Sequence, residues 1–369
     1  MPTTPKITQG AHSVTVSMRS SRAMTVSSTS TLLSPIVAAT LILTGPLAAE
    51  AATAHPTTRD APRTASGAAL SGARDAPTSA DTGGVVRQSG PDGAERQSVL
   101  DYWTTERMRT ARPLSPVTRG TPPGPGSPRR DTRGAPRSVT GHQSTGQRWT
   151  SGGAVTRTTG RVFLTVDGRD LTCSATVIPA ENRDTVITAG HCLKDGTGSW
   201  ASNWTFVPGY DDGEAPYGRY VARETLVPEQ WSTEADDSFD FGMAVLHTSD
   251  SDDHVQDRTG AQRIAFGESP GQWTYAFGYP STGGFEGRGL RYCSGRPEAD
   301  QRGTTASGMP CDMTEGSSGG PWLTDFDPSS GKGTVTSVIS FKYADDSSVQ
   351  YGTRLGDEAN RLYERATGL

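Results

Sequence analysis

Of the six histidines in this 369-residue chain, His191 sits where an imidazole could do chemistry. It lies within residues 186–193, VITAGHCL, after the small turn Thr188, Ala189 and Gly190 and directly before Cys192. A base that shuttles protons has to be held rigidly, and a bridged cysteine next to it would do that. A second stretch, residues 314–322, TEGSSGGPW, sets two serines among Gly316, Gly319 and Gly320. Glycine permits a tight turn in which successive backbone N–H groups point the same way and form an anion pocket. Ser318 is then an accessible nucleophile, with its own N–H and that of Gly316 available to hold an oxyanion. The third stretch, residues 238–246, SFDFGMAVL, puts Asp240 at the mouth of an apolar strand, where its carboxylate can accept from a ring N–H. Asp236 and Asp237 are neighbouring rivals that read as solvated loop residues. Together the three residue types spell acyl transfer, in the order His191, Asp240, Ser318, with no cofactor.

Order also separates two enzyme classes. Residues 316–320 satisfy the G-x-S-x-G elbow of α/β-hydrolases, but that fold needs a histidine after the serine, and the last histidine here is His254. No alternation of strands and helices frames the elbow either.

The elements that must position these residues read as all-β. From Gly153 onward, short branched or aromatic runs such as RVFLTV, CSATVI, TVITA, MAVL, WTYAFGY and TVTSVISF are separated by Gly, Pro, Asn and Asp. Only residues 357–367, DEANRLYERAT, read as a helix, with Ala359, Leu362 and Tyr363 on one side. Cys173, Cys192, Cys293 and Cys311 all fall in this half. In an exported chain an even count implies two disulfides, and the local connectivity, Cys173 with Cys192 and Cys293 with Cys311, closes two short loops. A metal site is disfavoured, because no C-x-x-C pair occurs and the two pairs are far apart in sequence.

The N-terminal portion differs in kind. An apolar run broken by Pro35 and Pro46 precedes small residues that resemble a cleavage site, so residues 1–54 read as a secretory signal peptide rather than a membrane anchor. Residues 55–150 are rich in Pro, Thr, Ser, Gly and Arg and read as a disordered pro-segment, apart from a short helix within residues 94–111 carrying Tyr102 and Trp103. Residues 1–150 hold 17 Lys and Arg against 9 Asp and Glu, while residues 151–369 hold 18 against 31. A basic arm tied to an acidic domain implies mutual attraction. Binding of nucleic acid by the arm is disfavoured by export and by the lack of aromatic residues among its arginines. The acidic runs at residues 209–218 and 250–257 read as solvated loops rather than Ca²⁺ sites, with His247 and His254 as surface residues.

TAGHC, DFGMAVL and GSSGGP, in this order, resemble the chymotrypsin-like serine peptidases, near their glutamyl-endopeptidase branch. That resemblance, over about residues 153–369, implies two packed six-stranded antiparallel β-barrels, about residues 153–250 and 260–352, with a C-terminal helix at about 356–367. It implies a site in the cleft between them, and a secreted monomer acting on proteins or peptides, with the basic pro-segment expected to cover the acidic cleft until it is cut away. Asp312, six residues before Ser318, matches the pocket base at which trypsin-like members hold an aspartate for Arg or Lys, while no histidine follows Ser318 to serve Glu. Ser340 and Phe341 fall in a run resembling the family's substrate-pairing strand. Ser317 stands where animal members carry the Asp that pairs with a freed N-terminus, so activation by that ion pair is not expected. A protease-like module without catalysis is the alternative, and the presence of all three candidate residues argues against it.

Overall fold

Alternating β-branched and aromatic residues form the first sheet. The strand Thr159–Val166 is buried along its whole length and turns through Asp167 and Gly168, both at positive φ, into Arg169–Val177. Val166 pairs with Arg169 across this two-residue turn, the left-handed Asp-Gly hairpin whose twist matches that of its strands. The computed structural model describes residues 84–114, 144–249 and 251–369. The leader expected at residues 1–54 lies outside the described residues.

Six strands close the first barrel. Around it run Tyr220–Pro228, Ser202–Pro208, Thr159–Val166, Arg169–Val177, Thr185–Thr188 and Gly242–Leu246, and the last pairs back with the first. Val162, Leu164, Trp204, Phe206 and Tyr220 are among the side chains that fill it. The second sheet runs through Ser307–Pro310, Val349–Arg354, Lys332–Ile339, Pro321–Asp327, Thr274–Gly278 and Arg291–Gly295. It curls as a half-barrel: no hydrogen-bonded ladder joins its first strand to its last among the described residues. The Cys293–Cys311 disulfide instead ties Arg291–Gly295 to the residue after Ser307–Pro310. The helix Asp357–Thr367 buries Ala359, Leu362 and Ala366 against the first barrel, and Tyr363 reaches the Pro179 carbonyl at 2.7 Å.

Two segments differ from the reading of the sequence. Within the pro-segment expected to lack order, Val85–Ser89 adds an antiparallel strand to the edge of Tyr220–Pro228. The helices Gly93–Tyr102 and Thr105–Thr110 follow it. The longer helix starts with a capping box, Asp92 accepting from Glu95 N and the Glu95 carboxylate from Asp92 N. Secondly, Ser144–Arg148, assigned to the same arm, pairs with Arg291–Gly295 as an edge strand. Trp149 then packs edge-on against Phe277 and Tyr292.

Candidate active site

His191 stands in the single 3₁₀ turn Gly190–Cys192 that follows the strand Thr185–Thr188. The Cys173–Cys192 bridge fastens that turn to Arg169–Val177. Asp240 comes directly after the turn Asp237–Phe239 and ahead of Gly242–Leu246, the strand beside Thr185–Thr188. Adjacent strands thus deliver the two side chains to one spot. The Asp240 Oδ2 lies 2.8 Å from His191 Nδ1, and its Oδ1 accepts the His191 backbone N–H at 2.7 Å. Gly190 has to be small here, since a Cβ on it would come within 3.1 Å of Asp240 Oδ1 and 3.0 Å of Trp231 Cδ1.

Burial works against ionisation of the Asp240 carboxyl. The charge of His191 and the hydrogen bonds from His191 and Ser340 outweigh it and hold the group below the ordinary carboxylate range. The Ser340 hydroxyl donates to Asp240 Oδ2 at 2.5 Å. Its role as support for the carboxylate had no signal in the sequence, which placed it only in a strand offered to substrate. Asp236 caps Ser238 N at 2.9 Å, and Asp237 lines a cavity together with His191.

Ser318 lies in the loop that leads into Pro321–Asp327 of the second sheet but is docked on the first barrel. Its carbonyl accepts from Ser174 N at 2.7 Å, one residue past the bridged Cys173. A Cβ on Gly319 would overlap Thr188 Oγ1 and Ser174 O and reach within 2.8 Å of Ala189 N, so the serine loop is pressed against the strand leading to His191. The loop's backbone donors divide into two sets. Ser317 N–H bonds Thr314 O, Gly319 N–H bonds Ile339 O and Gly320 N–H bonds Ser317 O. The N–H groups of Gly316 and Ser318 donate to nothing among the described residues. Gly316 has φ 92°, and its carbonyl is held away by the Ser174 hydroxyl at 2.9 Å. The same hydroxyl accepts from Tyr279 N at 3.0 Å, a bracing contact that sequence reasoning missed.

His191 Nε2 is buried and has no hydrogen-bond partner among the described residues, so the Ser318 hydroxyl is not bonded to it in this structure. The ring is therefore oriented on one side and free on the other.

A cavity of about 290 Å³ opens beside Ser318, lined among others by Asp312, Thr314, Glu315, Ser340 and Lys342. Asp312, read from the sequence as a buried pocket base, lines this cavity but is exposed. Lys342, which the sequence did not flag, donates to Cys311 O and Ser347 O at 2.6 Å each and spans the cavity walls. Burial pushes its ammonium down, against the pull of Asp312, Glu315 and Asp346. Phe341 stacks on Tyr351 at 5.1 Å and borders a second cavity of about 730 Å³ that His191 also lines. Beyond the strand Lys332–Ile339, the C=O of Ser340 and the N–H of Lys342 have no partner among the described residues, which leaves a backbone edge free.

Among the described residues, the only group of three or more His, Cys, Asp and Glu side chains close enough to share a metal ion is Cys173, His191 and Cys192. The two sulfurs are bonded to each other, so that set is not a metal site. No acidic loop gathers three carboxylates there. His247 and His254 are half-buried and bonded, to Pro91 O at 2.9 Å and to Asp184 Oδ2 at 2.5 Å.

A family model described as a trypsin-like peptidase domain matches residues 173–327. Among solved structures, protease Anisep from Arthrobacter nicotinovorans is 35% identical with a TM-score of 0.55, the match covering 58% of this chain and 96% of that one. The thermostable serine protease AL20 from an extremophilic microorganism is 37% identical with a TM-score of 0.55, covering 58% of this chain and 99% of that one. A curated relative, the extracellular metalloprotease of Bacillus subtilis, is 27% identical over 135 residues, 37% of this chain. The chain spans 33% of that relative's length.

Proposed function

The chain belongs to the trypsin-like serine peptidases, and we propose that it cleaves internal peptide bonds through an acyl-enzyme built on Ser318, with His191 as general base and acid and Asp240 as its orienting carboxylate. The observation that carries this reading is the pairing of a doubly anchored imidazole, free at Nε2, with two unsatisfied N–H groups that flank Ser318.

The reaction follows from that arrangement. Asp240 accepts a hydrogen bond from the Nδ1–H of His191, which keeps that proton on Nδ1 and fixes the tautomer with a lone pair on Nε2. Rotation of the Ser318 side chain brings its hydroxyl to Nε2 when substrate is bound, the stage at which such contacts tighten. Nε2 takes the proton as the oxygen attacks the carbonyl carbon, and the N–H groups of Gly316 and Ser318 receive the charge that develops on the carbonyl oxygen. His191 then gives the proton to the leaving amine and activates the water that frees the acyl group.

The substrate backbone pairs with the free edge at Ser340 and Lys342, and its P1 side chain enters the cavity beside Ser318. Two carboxylates there, Asp312 and Glu315, outnumber the Lys342 ammonium, which supports an Arg or Lys P1 residue. The disulfides call for an oxidising compartment, consistent with secretion and a signal peptide at residues 1–54. No helix among the described residues is long and apolar enough to cross a membrane. All the reacting groups come from one chain, so a monomer suffices, with the basic pro-segment as its inhibitor until cleavage.

Mass spectrometry of peptides released from a protein mixture tests the reading. With the pro-segment removed, cuts after Arg and Lys by the otherwise unaltered protein, enriched further in Lys342→Ala and absent in Ser318→Ala, are expected. Cuts that survive Ser318→Ala would overturn the assignment of the nucleophile, and cuts after Asp and Glu would overturn the pocket reading.

A further inference from the structure

Residues 84–114 contact the catalytic domain in two different ways. From Val85 to Ala111 the contacts lie away from the serine loop. Val85–Ser89 extends the first barrel by a five-pair strand, and Arg87 clasps Glu224 at 2.7 and 2.6 Å. Leu100, Trp103 and Met108 are buried, Trp103 completely, and the Trp103 ring packs at 5.5 Å from that of Phe163. Polar bonds tie the same stretch down: Trp103 Nε1 to Asn203 O at 2.6 Å, Tyr102 OH to Asp170 at 2.6 Å, and Arg219 to the carbonyls of Leu100 and Trp103. Side chains of this kind, large and aromatic in a fully desolvated setting, carry most of the energy of an interface.

Arg112, Pro113 and Leu114 lie elsewhere. Arg112–Pro113 runs parallel to Leu171 and Thr172, and Leu114 N–H donates to Thr172 O at 3.0 Å. Two residues on, Ser174 N–H holds the Ser318 carbonyl. The Pro113 Cβ comes within 3.4 Å of where a Cβ on Gly316 would stand, so the ring touches the residue whose free N–H awaits an oxyanion. Thr110, Arg112, Pro113 and Leu114 share with His191 the wall of the 730 Å³ cavity, but none of them enters the cavity beside Ser318. The stretch therefore lies beside the nucleophile rather than across it. From there it would obstruct a chain that continues past the scissile bond, without presenting a bond of its own for cleavage.

We propose that residues 85–111 are an anchor that stays on the first barrel after the chain is cut between Leu114 and Ser144, and that Arg112, Pro113 and Leu114 are the separate plug that silences the site. Cutting in residues 115–143 then yields a two-chain protein that is still inhibited, and activity waits on displacement of the plug. The part concerning activity rests on the peptidase reading; the part concerning the anchor does not.

The test uses the full chain with residues 121–126 replaced by the recognition sequence of an unrelated site-specific protease. After cutting in a Ser318→Ala background, gel filtration at micromolar concentration is expected to show both fragments in one peak. Separate elution would overturn the anchor. With Ser318 intact, the cut protein is compared with the same protein carrying Arg112→Gly, Pro113→Gly and Leu114→Gly. A gain of at least tenfold in peptide hydrolysis, with the fragments still together, is expected. Equal rates, while Ser318 reacts with an organofluorophosphonate in both, would overturn the plug. Failure of Ser318 to react in either protein would instead sink the peptidase reading and leave the co-elution result to decide the anchor.

Discussion

Replacing Asp240 by Asn keeps the shape of the side chain and changes only what it can accept. In the wild type its oxygens take three bonds, from His191 N at 2.7 Å, His191 Nδ1 at 2.8 Å and Ser340 Oγ at 2.5 Å. Asparagine keeps one carbonyl oxygen and gains an NH₂ group. Turned so that the oxygen still serves the backbone N–H, it points NH₂ at Nδ1 and at the Ser340 hydroxyl. Nδ1 must then accept, the proton moves to Nε2, and the lone pair that should deprotonate Ser318 is gone. A tautomer error of this kind in a Ser-His-Asp hydrolase costs about 10⁴-fold in turnover, or about 5 kcal/mol of transition-state stabilisation. The opposite turn leaves NH₂ facing the His191 N–H, two donors in contact at a buried site, and is disfavoured by about 1–3 kcal/mol. Steady-state hydrolysis of a peptide substrate near neutral pH provides the assay. The loss should fall on kcat with KM nearly unchanged, because Asp240 does not touch substrate. A loss under tenfold, or one carried by KM alone, would refute the role given to Asp240.

Three further outcomes are expected. Gly319→Ala should destabilise by about 2–5 kcal/mol, combining a left-handed φ of 79° with overlap on Thr188, Ser174 and Ala189; an unchanged urea midpoint would contradict the docking of the serine loop. Removing the Cys173–Cys192 bridge as a pair of alanines opens a loop of sequence separation 19, worth about 3 kcal/mol by chain entropy, and denaturant unfolding of the two proteins reads the difference. The pH dependence follows from Asp240, whose folded value lies below the ordinary 3.8. Its contribution is then full above that ordinary value and is lost as pH falls through the folded one. Thermal melts from pH 5 down to pH 2 should bring wild type and Asp240→Asn closer together, and a constant gap would contradict the assignment.

The three residues proposed to react were singled out in the sequence because each had a local signal. The glycines around Ser318, the cysteine beside His191 and the apolar strand after Asp240 are short-range features that survive in a linear string. The C-terminal helix was legible for the same reason, since Ala359 and Leu362 recur at helical spacing and both are buried. Features that depend on a distant partner were not. Nothing within VVRQS distinguishes a strand from a linker until the open edge of Tyr220–Pro228 supplies its hydrogen bonds, so residues 85–89 read as part of an unstructured arm. Lys342 follows a strand like any surface lysine, and only the carbonyls of Cys311 and Ser347 bring it over the cavity. The exposure of Asp312 and the unclosed ladder of the second half-barrel likewise follow from register, which alternating hydrophobicity does not encode.

The most direct measurement of the central claim is the site of covalent capture by an organofluorophosphonate, read by mass spectrometry of the protein freed of residues 84–114. One adduct per chain on Ser318, abolished by His191→Ala, is the result expected if a free imidazole nitrogen activates that hydroxyl. An unmodified Ser318 in a protein that still hydrolyses peptides, or equal labelling without His191, would contradict it.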